Sequence, residues 1–254
     1  MRTLILILLF LVGGACERLL EPFTAAPQPV PTQPQMNQTT GWHIPLVGTR
    51  DATGKVMWLL DTGADTTNRD LNLGTLSKSF VSTSYDDDPY AQHGTNMAGV
   101  CAKDNNIQAL GVAPNATVNI LKIFRDSNRA YDAKPYFDAF NYILRNASAS
   151  DVVVFEGGFL TKRDAATGER LIKKICDKGI KVFVPAGNQN AQVSVSPMTL
   201  TYPNFYVVGG VDCSVRLGWP DTAWYASNES NYGNSVKWAM PAVNIQSTCY
   251  RCPD

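Results

Sequence analysis

The chain has 254 residues, 44% of them apolar and 17% charged. That length holds one large domain or two small ones, and the composition buries a sizeable core and excludes a disordered chain. Lys plus Arg and Asp plus Glu both number 22, with two His. Zero formal charge gives no electrostatic drive toward nucleic acid or an acidic membrane surface, and no Cys/His array of the zinc type is present.

Met1-Arg2-Thr3 is a basic start, residues 4–12 are continuously apolar, and Gly13-Gly14-Ala15 precede Cys16. This is the pattern of a secretory signal over residues 1–15, and its apolar run is shorter than the roughly 20 residues that span a bilayer. Small residues before Cys16 also fit a bacterial lipoprotein site. Cleavage and lipidation stand as alternatives, and membrane contact is expected only through a lipid on Cys16. Residues 16–40 are rich in Pro, Gln and Thr. Pro27, Pro29, Pro31 and Pro34 favour an extended linker there.

Export permits disulfides. Six cysteines less Cys16 leave five, namely Cys101, Cys176, Cys213, Cys249 and Cys252. With an odd number, at least one is a thiol or pairs between chains. Cys101 reads as a small buried hydrophobe on a helix, and Cys249 with Cys252 as a short disulfide loop. Asn37, Asn115, Asn146 and Asn228 open glycosylation sequons.

From residue 41 to 254, apolar runs of strand length alternate with helical patterns. Strands are predicted at 55–60, 117–124, 151–155, 180–185, 205–211 and 236–240. Helices are predicted at 93–103, 133–146 and 164–178. Near-continuous Val/Ile/Leu strands between helices imply a three-layer α/β/α fold with a parallel sheet covered on both faces. In such sheets the reactive groups gather at the carboxyl ends of the strands.

Three motifs fall at that rim. Asp61-Thr62-Gly63 follows the strand ending Trp58-Leu59-Leu60, His93-Gly94-Thr95 opens a helix, and Pro185-Ala186-Gly187-Asn188 follows Val182-Phe183-Val184. A carboxylate that bonds an imidazole sets its tautomer and stabilises the imidazolium, and an outward amide can donate to a developing oxyanion. Together they are most of an acyl-transfer site.

With these motifs the sequence resembles the subtilisin-like serine proteases. The matching segments begin at Trp58, His93, Gly111, Pro185 and Ser230. A further stretch, Met240 to Thr248, is similar to the family's approach to its nucleophile. The order Asp before His is that of subtilisin. The resemblance implies that Asp61 orients His93, that His93 is the general base, and that Asn188 serves the oxyanion hole. It also places Gly157, Gly158, Ala186 and Gly187 against the substrate, which would be a protein or peptide.

The pattern then breaks. The family's Gly-Thr-Ser-Met-Ala segment, which carries the nucleophile and opens a central helix, does not occur in these residues. Ser247 matches a substrate-side residue and not the nucleophile. Asn96 stands where the family usually has a second His, and Phe155-Glu156-Gly157-Gly158 falls on its Ser-x-Gly-Gly pocket wall. An uncovered sheet face of several hundred Å2 would forfeit on the order of 10 kcal/mol. The expectation is therefore a piece of a longer endopeptidase with apolar strands left open. No cofactor is required. Asp86-Asp87-Asp88 offers the clustered oxygens that calcium takes, or else forms a solvated acidic turn. One alternative is a secreted, non-catalytic peptide-binding relative. A remote one is a retroviral-type aspartic protease built around Asp61-Thr62-Gly63, which needs a homodimer and an all-β fold.

Overall fold

The computed structural model describes residues 41, 43–87, 92–102, 110–124, 132–212, 225–226, 229–243 and 245–248. The signal and linker segments, Cys16, Cys213, Cys249, Cys252, Asn37, Asn228 and Asp88 lie outside the described residues.

The first element is a short helix, α1 (Ile44–Val47), followed by β1 (Val56–Asp61), β2 (Lys78–Ser79) and α2 (His93–Ala102). Next come β3 (Thr117–Lys122), α3 (Lys134–Asn146), β4 (Val152–Phe155), α4 (Lys162–Asp177) and β5 (Lys181–Pro185). The last three strands are β6 (Phe205–Asp212), β7 (Tyr225–Ala226) and β8 (Val236–Pro241). The strands form one sheet in the order β2-β3-β1-β4-β5-β6-β7, with β8 also on β6. All pairs are parallel except β6 with β7. This is the α/β sheet the alternating pattern predicts, and it is not the all-β architecture an aspartic protease requires. β1 lies between β3 and β4, and the chain runs from β1 to β2 on one side but from β4 to β5 on the other. That is the switch point at which open α/β sheets place their ligands.

Side chains alternate across each strand, which sorts the core into two layers. Met57 and Leu59, Val118 and Ile120, Val152 and Val154, and Phe183 face α2, packing with Met97, Val100 and Cys101. Trp58 and Leu60, Val153 and Phe155, and Val182 and Val184 face α3 and α4, packing with Phe140, Ile172 and Ile175. Helix α2 carries small residues and is buried over most of its surface, from Gly94 and Thr95 through Met97 to Ala102. A helix apolar all round belongs inside. Helices α3 and α4 are amphipathic, and Thr161 caps α4 by accepting from the Asp164 amide at 3.1 Å.

The expected open apolar face is not found among the described residues. Val154, Phe183, Val208 and Met240 are all buried on the α2 side. Among the described residues the exposed large apolar side chains are Leu76, Leu160, Val195 and Tyr232, and none of these lies on a strand. Segments outside the regular elements, including Leu110 and Ile245, pack against that layer and supply part of the cover.

Candidate active site

Alternation explains why the rim carries its chemistry on one face. Asp61 continues the series Met57, Leu59, and Glu156 continues Val152, Val154, so both carboxyls turn toward α2. The register pairs Leu60 with Phe155, and the Glu156 amide donates to Leu60 O at 3.2 Å. The same rule sends Ala186 the other way. Its side chain is 2% exposed in the α3/α4 layer and its amide donates to Val208 O. The Ala186 side chain therefore packs in the core and is not part of the cavity lining among the described residues.

The amino end of α2 is pressed onto the end of β1. A Cβ on Gly94 would sit 2.0 Å from Gly63 O, so glycine is needed there for the helix to approach. The Thr62 hydroxyl accepts from the Gly94 amide at 2.9 Å and donates to Asp87 Oδ1 at 2.7 Å. Asp87 Oδ2 accepts from the Thr95 amide at 2.8 Å and the Thr95 hydroxyl at 2.5 Å. These bonds satisfy the first amides of α2, whose dipole favours an anion there. Asp87 is thus a buried positioning carboxylate that sequence reasoning missed. Its partners Thr62 and Thr95 flank Asp61 and His93, and that adjacency was the available signal. Asp86 accepts from the Thr66 amide and hydroxyl. Among the described residues no group of three or more His, Cys, Asp or Glu is placed to hold a metal ion.

Within this frame His93 Nδ1 lies 2.8 Å from Asp61 Oδ1 and 2.9 Å from Oδ2. Asp61 is fully buried and also accepts from the Thr62 amide at 2.6 Å, whereas the His93 side chain is 40% exposed. The Asp61 charge holds the His93 ring up to about 9 against an opposing effect of burial, with smaller help from Glu156 and Asp87. Asp61 and His93 therefore meet as expected.

A cavity of about 230 Å3 opens beside this pair, lined by His93, Asn188, Gly157, Gly158 and Gly187, together with Glu156. The loop carrying Asn188 turns at Gly187, whose φ of +101° is a left-handed conformation. Asn231 clamps that loop. Its Oδ1 accepts from the Gln189 and Ala191 amides, and its Nδ2 donates to Ala186 O and Gln189 Oε1. The motif Ser230 to Gly233 pointed to this region, but the role of Asn231 emerges only from contacts some 40 residues apart. Ser247 donates to the Asn96 carbonyl at 2.5 Å, which fastens the segment 245–248 to α2.

The buried thiols take no part in this site. Burial pushes Cys176 up to about 12 and Cys101 higher still. Cys101 sits inside α2 as the sequence suggests.

A sequence model of the Subtilase family, peptidase S8, matches residues 53–250. The chain belongs to the subtilase family. It is 30% identical over 204 residues to a thermophilic serine proteinase of Bacillus sp. (strain AK1), covering 79% of this chain and 47% of that protein. It is also 30% identical over 200 residues to subtilisin E of Bacillus subtilis (strain 168), covering 75% and 47%. The chain thus spans about half the length of these curated relatives. Among solved structures, the S41 psychrophilic protease superposes with a TM-score of 0.70 at 21% identity, covering 84% of this chain and 76% of the other. Sphericase gives 0.69 at 20% identity, covering 83% and 76%. These two show that the subtilase fold is shared.

Proposed function

We propose that this subtilase chain forms the Asp/His/Asn part of a serine-type endopeptidase that hydrolyses peptide bonds in protein or peptide substrates. The observation that carries the reading is the Asp61–His93 pair set against a cavity that also receives Asn188. With Nδ1–H directed at Asp61, Nε2 keeps the lone pair. The ring then takes the proton of a serine attacking from the cavity side, and Asp61 stabilises the imidazolium. Asn188 is exposed at the cavity and donates from Nδ2 to the tetrahedral oxyanion. Gly157, Gly158 and Gly187 leave room for substrate backbone. No Gly-Thr-Ser-Met-Ala segment occurs in the 254 residues, so the nucleophile is assigned to none of them.

Export supports the same reading. The pattern over residues 1–15 directs the chain out of the cytoplasm, either released or held by a lipid on Cys16. No helix among the described residues is long and apolar enough to cross a membrane.

The test is covalent labelling of the gene's full-length product with a fluorophosphonate. One serine should be labelled, and His93→Ala should abolish the labelling. Labelling that survives His93→Ala removes His93 as the base. A full-length product that binds peptides but is never labelled would instead be a non-catalytic peptide-binding protein.

A further inference from the structure

The mechanism above leaves one ionisable group at the cavity unused. Glu156 follows β4, faces α2 by strand alternation and lines the cavity with His93. Its Oε1 is buried without a hydrogen-bond partner, and its carboxyl forms no ion pair with any described residue. Burial, and then the Asp61 charge, push the carboxyl well above the ordinary Glu value, while His93 pulls it down. Glu156 is half-buried overall, but a buried carboxyl oxygen without a hydrogen bond is costly, and a guest that pairs with it relieves the cost.

The rest of the cavity defines that guest. The other charged group on the wall, His93, already directs Nδ1 at Asp61. A positive imidazolium there is balanced by Asp61, so a Glu156 that gives up its proton to pair with a guest cation meets no competing cation on the described wall. Among the described residues no Lys or Arg lines the cavity. Gly158, Pro185 and Met198 offer an apolar sleeve of the kind that lies along the methylene stem of a long cationic side chain. The volume of about 230 Å3 corresponds to several waters at about 30 Å3 each, enough to admit such a side chain.

We propose that Glu156 makes this cavity select Lys or Arg in the bound peptide, its carboxylate pairing with the guest's ammonium or guanidinium. The inference deepens the endopeptidase reading and rests on it. It does not need the nucleophile, because selection is a property of binding.

Two fluorescein-labelled, C-terminally amidated peptides test it on the 254-residue chain by fluorescence anisotropy. They share one sequence and differ only in Arg or its uncharged isostere citrulline. The Arg peptide should bind tighter by about tenfold or more, the difference a charge-assisted hydrogen bond makes. Glu156→Gln should remove the difference by weakening the Arg peptide alone. Equal binding of both peptides to the unaltered chain overturns the proposal and leaves the endopeptidase reading standing, and that comparison needs no variant. Binding of neither peptide overturns both.

Discussion

On the β1–α2 side of the cavity, the Asp61 carboxylate meets His93 with both oxygens, and the neighbouring Asp87 carboxylate holds Thr62 and Thr95. On the β4–β5 side, Glu156 faces the same cavity without a hydrogen bond. All three groups are acids at the rim of one sheet. The first two are compensated inside the fold, which fixes an imidazole and a helix end before any substrate arrives. The third keeps a buried oxygen without a hydrogen bond, the group we propose a ligand compensates. Pairing within the protein preorganises chemistry, and an unpaired group at a cavity selects what enters it.

This contrast can be broken most severely at Asp61. Asp61→Asn keeps the shape of the buried side chain but lets the imidazole take the other tautomer. On the proposed endopeptidase reading, kcat should fall by about 10³–10⁴-fold, with KM little changed. A loss below tenfold in steady-state peptide hydrolysis would deny Asp61 its role. Removing the second compensated acid acts on folding. Asp87→Ala strands the Thr95 amide and two hydroxyls, and should cost about 2–3 kcal/mol in urea denaturation. An unchanged midpoint would mean that solvent replaces those bonds.

The smallest effect sharpens the contrast through titration. Followed by NMR, His93 should titrate near 9 in the unaltered chain and fall toward 6.5 in Asp61→Asn. Glu156→Gln should lower it by less, because Asp61 is the larger cause. On the proposed reading His93 must be neutral to act as base, so the hydrolysis rate should climb until about pH 9. The folded state holds this proton more tightly than the unfolded chain does. The stability it contributes is full below 6.5 and is lost as pH rises through about 9. Glu156 acts in the same direction, its folded affinity for a proton also being raised. A urea midpoint that rises between pH 6.5 and 9 would contradict both assignments.

Long apolar runs were legible in the sequence because period and length report burial directly. The strand predicted at 55–60 is β1, shifted by one residue, and the helix predicted at 164–178 is α4, which starts two residues earlier. The two-residue strands β2 and β7 and the four-residue α1 were not, since such short segments carry no period. Asp61, His93 and Asn188 were legible through their motifs. Asp87 was legible only as part of an acidic run, since Thr62, 25 residues away, is what makes it structural. The motif of Ala186 names a neighbourhood, whereas strand alternation decides which face its side chain takes.

By itself, then, the sequence determined the alternation of strands and helices and the motifs that carry Asp61, His93 and Asn188 to one rim, because hydrophobic period and short motifs are local properties. Tertiary structure alone decided which acids were compensated. Whether a carboxylate finds a partner depends on chain segments brought together by sheet register and helix approach, and no local pattern encodes those distances.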